Sequence, residues 1–164
     1  MPTFDATEAE VSLHEITAAT VRAVTNLRVA PEQDGYVAHN AVSIAQAYFQ
    51  REEAWFRAIH AADVLIGFVM LRDATLLMSV PENPQLSLWR FMIDHRYQRL
   101  GFGRKALKLI VSHARTRPGI KSLQTSYVVG PDGPKDFYLS FGFKHTGEIK
   151  PSGEVVIVLE LHSS

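Results

Sequence analysis

The 164-residue sequence contains no cysteine, which excludes a disulfide framework, a thiolate nucleophile and every zinc site that requires sulfur. It also has no net charge, because 17 Lys and Arg residues balance 17 Asp and Glu residues. No global electric field would therefore draw the protein to nucleic acid or to an anionic membrane. The longest apolar stretches have the length of strands and are too short to span a bilayer.

The composition that remains is typical of one folded domain. A hydrophobic fraction of 46% is sufficient for a packed core, and we find no internal repeat, low-complexity tract or linker, so we predict a single domain over residues 1–164. The seven histidines are scattered without metal-ligand spacing, and we expect no metal site. Residues 1–8 have neither a basic start nor an apolar run, so we expect no signal peptide and a cytoplasmic location.

The hydrophobic pattern predicts a mixed α/β fold. Its strongest helical signal is a one-sided apolar stripe over Ala106–Ala114, which Pro118 and Gly119 bring to an end. In chain order the pattern predicts a strand through Val11–Ile16, helices at 21–27 and 42–49, strands at 55–61, 64–71 and 87–94, the striped helix, a strand at 120–127, a short helix before Gly142, and strands at 143–149 and 155–161.

The segment Gln98–Gly103 lies between a predicted strand and the striped helix and contains two glycines, Gly101 and Gly103. Glycine lets the backbone approach a ligand closely, and the unpaired N–H groups of a helix N-terminus favour an anion such as a diphosphate. Arg99 and Arg104 add positive charge at the same place. The alternative is that the glycines only form a tight turn between strand and helix.

Two other phosphate-binding motifs do not fit this segment. A P-loop is excluded because no Gly-Lys-Ser/Thr sequence ends the turn. The dinucleotide-binding fingerprint has its third glycine where Ala106 stands, a substitution that is sometimes accepted. It also needs an acidic residue about 20 positions further on, and Lys121–Gln124 offers none.

The pattern Gln98-x-x-Gly101-x-Gly103, after a strand that ends at Phe91–Asp94, resembles the acyl-CoA signature of the GCN5-related N-acetyltransferase (GNAT) family. Phe137–Phe143 resembles the late helix-to-strand junction of that family, in the family's order and separation. The resemblance covers nearly the whole chain and implies an α+β fold: a mixed, mostly antiparallel, twisted sheet of six to seven strands flanked by about four helices. Segments that resemble the bacterial diamine and spermidine acetyltransferase-like branch are Gly35–Asn40, Gly67–Met70, Trp89–Asp94 and Thr146–Glu148.

The resemblance also implies acetyl-CoA as a co-substrate and a role for individual residues. Backbone N–H groups of the glycine turn would bind the CoA pyrophosphate, main-chain groups of the preceding strand would pair with the pantetheine arm and the acetyl carbonyl, and Tyr138 would protonate the departing thiolate. The family often has an asparagine seven residues before this tyrosine, where the chain has Pro131, so one cofactor or backbone contact is missing. The expected cofactor-binding residues are Phe91, Met92, Ile93, Gln98, Arg99, Leu100, Gly101, Phe102, Gly103 and Arg104.

Direct transfer would require a deprotonated amine, a hydrogen-bond donor at the thioester carbonyl and an acid for the leaving thiolate. No covalent enzyme intermediate is needed, in agreement with the missing cysteine. The alternative for Tyr138 is plain packing beside Phe137 and Phe141. For the general base the candidates are Asp94, Glu148 and a water relay, although carboxylates at strand ends are usually solvated.

The acceptor side is expected in the first two helices and their connection. Glu32 and Asp34 could attract a cationic amine and Tyr36 could offer its aromatic face, with an ordinary solvated surface as the alternative for each residue. Further candidates of the same kind are Glu52, Glu53 and Trp55.

Three functions remain open at this point. The first is N-acetyl transfer to the primary amine of a small molecule such as a polyamine. The second is a CoA-binding regulatory module without turnover, which Pro131 suggests and Tyr138 opposes. The third is acetylation of a protein N-terminus or a lysine. Family habit implies a homodimer, and we expect no nucleic-acid or membrane partner.

Overall fold

The computed structural model describes residues 5–162, and within this range the chain forms seven strands and four α-helices. Residues 1–4, on which the expectation of a missing signal peptide partly rests, and residues 163–164 of the predicted domain lie outside the described range. The strands are β1 (Val11–His14), β2 (Ala54–Ala61), β3 (Val64–Asp73), β4 (Leu86–Ile93), β5 (Ser122–Tyr127), β6 (Lys144–Ile149) and β7 (Val155–Glu160). The helices are α1 (Val21–Thr25), α2 (Asn40–Phe49), α3 (Phe102–Arg115) and α4 (Lys135–Phe141).

The strands form one sheet in the order β1-β2-β3-β4-β5-β7-β6. Every neighbouring pair in it is antiparallel except β4 and β5, which are parallel. The predicted fold class, a mixed and mostly antiparallel sheet of six to seven strands with about four helices, is therefore confirmed.

Helices cover both faces of the sheet and divide the core into two parts. On one face α3 and α4 bury the larger cluster, in which Phe102, Leu107 and Ile110 are almost completely inaccessible. On the other face α1 and α2 pack through Val24 and Ala47 onto the side chains of β2–β4. Because β4 lies between the two clusters, its main chain is held from both sides.

All predicted helices and strands are present, but some of them begin or end a few residues away from the predicted bounds. The stripe over Ala106–Ala114 is buried as predicted. The first helix ends at Thr25, before the predicted Leu27, and the first strand ends at His14 without Ile16. The second helix begins two residues early, at Asn40, whose side-chain amide donates to the carbonyl of Val24 at 2.9 Å. No helix within residues 5–162 is long and apolar enough to cross a membrane.

The parallel pair β4 and β5 meets at one register position, Ser87 opposite Gln124. Beyond this point the two strands separate, so the edge of β4 that faces β5 has no strand partner from Leu88 onward. An unpaired strand edge exposes backbone donors and acceptors. The fold thereby opens a wedge in the middle of the sheet, beside main-chain groups that a ligand can use.

Replacing Gly67 by alanine is expected to distort this wedge. Gly67 of β3 lies opposite Ile93 of β4, and an added Cβ would collide with the carbonyl oxygen of Met92 and come within 3.0 Å of the Ile93 side chain. Since the obstacle is backbone, we expect Gly67→Ala to lower the free energy of unfolding by about 2 kcal/mol in urea titrations. Gly35→Ala is the control, because nothing lies within 4 Å of its added Cβ. Equal stability of the two variants would contradict the prediction.

Candidate active site

A cavity of about 1230 Å³ opens where β4 and β5 separate. The connection between α1 and α2 lines it on one face of the sheet, and the start of α3 together with α4 lines it on the other. The hairpin of β6 and β7 completes the wall. Of the residues predicted from the sequence, the cavity brings together Asp34, Tyr36, Phe91, Met92, Ile93, Gln98, Arg99, Gly101, Gly103, Arg104 and Tyr138.

Three predicted site residues have side chains outside this lining. Leu100 is about half exposed beside the turn, and Phe102 is buried in the core under α3. Both residues were predicted to bind the cofactor through their backbone N–H groups. The positions of their side chains do not test that prediction. Glu32 is exposed on the turn that precedes Asp34, away from the cavity.

The turn before α3 has the backbone that the glycine pattern predicts. Gly101 caps the helix in the left-handed region at φ +86°, and Arg99 is also left-handed at φ +62°. A non-glycine residue in this conformation is strained, and such strain is concentrated at ligand-binding sites. Nothing lies within 4 Å of the side of Gly101 where a Cβ would stand. The turn therefore has open space at a positive helix end.

Several backbone donors of this turn have no hydrogen-bond acceptor in the part of the chain that the structure describes. Within residues 5–162 no acceptor takes the N–H groups of Arg99, Leu100, Gly101, Gly103 or Arg104. The first N–H groups of a helix have no acceptor inside the helix, and the helix dipole makes this end positive. Unpaired donors beside two arginines fit a diphosphate, so the pyrophosphate of CoA suits this turn.

Gln98 connects the turn to the end of β4. Its side-chain amide donates to the carbonyl of Ile93 at 2.8 Å, while the N–H of the next residue, Asp94, bonds to Ile66 of β3. The glutamine of the signature therefore fixes the path of the chain between the unpaired edge of β4 and the anion-binding turn. Because both segments would contact one CoA molecule, their relative position matters for binding.

Tyr138 of α4 is buried yet lines the cavity. Its ring packs edge-on against Phe137 and Phe143, with ring centroids 5.4 Å and 5.3 Å away. The ring therefore packs as the alternative interpretation expects, while the hydroxyl has Thr125 as a hydrogen-bond partner. Burial raises the pKa of Tyr138 well above its usual value, although a hydrogen bond with Thr125 opposes the shift. The phenol keeps its proton at any physiological pH, as an acid for a thiolate must.

Thr125 was not predicted from the sequence, and it is a hydrogen-bond partner of the Tyr138 hydroxyl. Its own hydroxyl donates to the carbonyl of Leu88 at 2.9 Å, across the gap between β5 and β4. A buried threonine on a strand has no sequence signature of its own, which explains why the pattern missed it.

Asp94 corrects an expectation from the sequence. Strand-end carboxylates were expected to be solvated, but Asp94 is 1% exposed and accepts hydrogen bonds from the N–H of Arg28 and from Arg96. Burial by itself would raise the pKa of Asp94, but the bonds from Arg96 and Arg28 outweigh it and lower the pKa. A fully bonded carboxylate outside the cavity lining is a poor proton acceptor. Glu148, in contrast, is exposed and lines the cavity.

The loop that contains Pro131 meets the connection between α1 and α2. The phenol of Tyr36 donates to the carbonyl of Pro131, and its ring lies against Gly130 and Gly133, where an added Cβ would press into the ring. The position where the family often has asparagine therefore forms a main-chain contact here. Asp34, two residues before Tyr36, pairs with His39 at 2.8 Å.

The structure adds polar residues that the sequence did not single out. Arg90 of β4 and Arg72 of β3 line the cavity on the side of α2, with the ring of Trp89 beside both. Lys150 and Glu154 face the cavity from the hairpin of β6 and β7. Across residues 5–162 no group of three or more histidines and carboxylates could hold a metal ion.

Comparisons with known proteins bear on the family and the fold of the chain. The profile of the "Acetyltransferase (GNAT) family" matches residues 21–143. The spermine/spermidine N(1)-acetyltransferase of Bacillus subtilis strain 168 is 28% identical over 153 residues, which cover 92% of this chain and 99% of that protein. A probable spermine N(1)-acetyltransferase of Bacillus subtilis subsp. natto is 27% identical with the same coverage. The crystal structure of an aminoglycoside acetyltransferase, AAC(6')-Ib, in complex with coenzyme A has a TM-score of 0.70 at 14% identity, and the match covers 92% of this chain and 95% of that one.

The chain therefore belongs to the acetyltransferase (GNAT) family, as the resemblance of its signature segments indicated. The predicted enzyme class, an N-acetyltransferase that uses acetyl-CoA as its co-substrate, is confirmed.

Proposed function

We propose that the protein transfers the acetyl group of acetyl-CoA directly to the primary amine of a small molecule. The observation that carries this proposal is the single cavity wall that joins the unpaired edge of β4, the anion-binding turn and the buried phenol of Tyr138. The part of the cavity beside the connection between α1 and α2 leaves room for an acceptor.

Each requirement of direct transfer has a residue in this wall. The unpaired main chain of β4 at Phe91, Met92 and Ile93 supports a donor for the thioester oxygen as it gains charge. Tyr138 supports proton donation to the thiolate, because its phenol is protonated and borders the cavity. For the amine proton, Glu148 is the better placed of the two predicted carboxylates, with a water relay as the alternative.

The first acceptors to assay are polyamines, for which the two Bacillus relatives are named. The cavity also contains carboxylates that can bind a cationic chain: Asp34, Asp132, Glu148 and Glu154. Tyr36 is held at the same wall and can cover an alkyl chain with its ring.

The test is release of free thiol from acetyl-CoA in the presence of polyamines, amino acids, aminoglycosides and short peptides, with mass analysis of each product. We expect turnover with one class of small amine. Acetylation confined to peptides would replace the proposal by the protein-acetylating alternative. Binding of acetyl-CoA without transfer to any acceptor would favour the regulatory module that Pro131 suggested.

A further inference from the structure

Arg90 is a charged side chain that forms no ion pair with any carboxylate of residues 5–162. Its guanidinium donates from Nη1 to the carbonyl of Trp89 at 2.9 Å and from Nη2 to the side-chain oxygen of Gln46 at 3.1 Å, and both acceptors are uncharged. Its Nε is buried without a hydrogen-bond partner among the described residues. No carboxylate in residues 5–162 forms an ion pair with it, whereas the other arginines of the core, such as Arg117 with Asp73, have one.

Such an arrangement is costly for a protein on its own. A half-buried cation that lacks a counter-ion loses solvation free energy, and no ion-pair energy compensates for that loss. Burial lowers the pKa of Arg90, Glu154 opposes this from a distance, and the positive charge of Arg72 lowers it further. The carboxylate of Glu154 accepts from the hydroxyls of Ser126 and Ser152 instead of from the guanidinium. An anion beside Arg90 would relieve this cost.

The surroundings of Arg90 suit an oxyanion. The Arg72 guanidinium lies 4.3 Å from the centre of the Trp89 ring, and the Arg90 guanidinium lies 5.8 Å from the same centre. Arg72 is tethered by Gln50 at 2.6 Å and by Glu53 at 3.4 Å. An aromatic ring and tethers of this kind hold guanidinium planes in place, and ordered planes bind carboxylate or phosphate through paired N–H groups.

The position of Arg90 separates it from the CoA-binding turn. Its contact with Gln46 places its guanidinium beside α2, on the face of the sheet opposite α3. The residue that follows it, Phe91, is the first of the main-chain groups proposed to hold the acetyl arm. Arg90 therefore borders the acceptor half of the cavity, one residue from the proposed point of transfer.

We propose that the acceptor carries an oxyanion, a carboxylate or a phosphate, in addition to its primary amine, and that Arg90 and Arg72 bind this group. The inference rests on the proposed function and narrows it from small amines to amino acids and related zwitterions. Glu148, which lines the same cavity from β6, is then left for the amine end of the acceptor.

Pairs of acceptors that differ in the oxyanion alone test this assignment. Ornithine and putrescine, and lysine and cadaverine, differ by a carboxylate, while phosphoethanolamine and ethanolamine differ by a phosphate. We expect kcat/KM to be about tenfold or more higher for the charged member of at least one pair, the effect of one hydrogen bond to a charged group. The pair that shows the preference identifies the oxyanion. Equal or lower values for the charged member of every pair would overturn the proposal.

Substitution of Arg90 tests the residue. Arg90→Gln should raise the KM of the preferred acceptor about tenfold and leave the KM of its uncharged counterpart unchanged. Arg90→Lys, which keeps the charge, should restore part of the preference. The matched control is Arg115→Gln, an exposed arginine on α3. A preference that survives in Arg90→Gln would show that another group binds the oxyanion.

Calorimetry separates this inference from the proposed function, because it needs no turnover. Ornithine, phosphoethanolamine, putrescine and ethanolamine are titrated into the complex of the protein with CoA. Tighter binding of a charged member, lost in Arg90→Gln, supports the oxyanion site even when no transfer is seen, and the failure would then belong to the proposed chemistry. Tighter binding of putrescine, unaffected by the substitution, would reject the oxyanion site while leaving a polyamine acetyltransferase intact.

Discussion

Tyr138→Phe is expected to lower kcat on the order of 100-fold while changing the KM for acetyl-CoA little, because general acid catalysis contributes about 10²–10⁴-fold. The substitution removes the hydroxyl and retains the ring that packs against Phe137 and Phe143, so the fold should persist. Since burial raises the pKa of Tyr138, its deprotonation should cause no fall of kcat in the unsubstituted protein up to about pH 10, near the usual tyrosine pKa. Steady-state kinetics across this pH range gives both quantities.

The matched control is Tyr97→Phe, which removes a hydroxyl from another buried tyrosine that does not line the cavity. Its kcat should stay within about twofold of the original protein, whereas an equal loss in both variants would point to general disturbance of the core. Thr125→Val adds a test of positioning, because it removes a hydrogen-bond partner of the Tyr138 hydroxyl. A change of kcat without a change of the acetyl-CoA KM is expected there too. Full activity of Tyr138→Phe would return Tyr138 to a packing role and leave the thiolate to be protonated by water.

The parts of the fold that the sequence predicted depend on local physics. The stripe over Ala106–Ala114 specifies a helix because its apolar positions recur on one face, and all of them are buried against the sheet. The glycine turn was also predictable from local sequence, because Gly101 occupies a left-handed backbone conformation that favours glycine. Neither conclusion needs knowledge of distant residues.

The parts that the sequence could not predict depend on contacts between distant segments. Asp94 is buried, and its carboxylate accepts a hydrogen bond from the N–H of Arg28, 66 residues away. The role of Pro131 is likewise carried by its main-chain carbonyl, which Tyr36 reaches across 95 residues. A backbone acceptor has no side-chain signature, and the packing that buries a carboxylate is not encoded by its neighbours in sequence. The arginine pair beside Trp89 is another such case, because it requires the register of β3 against β4.

These long-range contacts explain how a scaffold of ordinary elements acquires a reaction site. Two strands that pair at one position and then diverge leave main-chain groups for the acyl donor. The same divergence lets the Thr125 hydroxyl of β5 bond to Leu88 of β4 and lie within hydrogen-bonding distance of Tyr138, so the wedge also helps to position the proposed acid. On the other face α2 brings Gln46 to Arg90, which places the proposed specificity residue beside the same wedge.

Gly101→Ala is expected to weaken acetyl-CoA binding on the order of 100-fold, as would follow from losing two hydrogen bonds to a charged group at about 1.5 kcal/mol each. At φ +86° an alanine is strained, and the turn must change its path to relieve the strain. A Cβ that stays in place stands in the open space beside the turn, where the N–H groups of Arg99, Leu100, Gly101, Gly103 and Arg104 have no acceptor among the described residues. Either response removes donors from the pyrophosphate. Isothermal titration with acetyl-CoA measures the effect directly.

Gly153→Ala is the matched control, because Gly153 has φ +91° and equally open surroundings but lies in the turn between β6 and β7. Both variants should lose a similar amount of unfolding free energy, about 1 kcal/mol, because each forces a Cβ into the left-handed region. If the glycine turn binds the pyrophosphate, acetyl-CoA affinity falls in Gly101→Ala alone. Equal affinity of the two variants would mean that Gly101 and Gly103 form only a tight turn, which was the alternative from the beginning, and that the phosphates are bound elsewhere in the cavity.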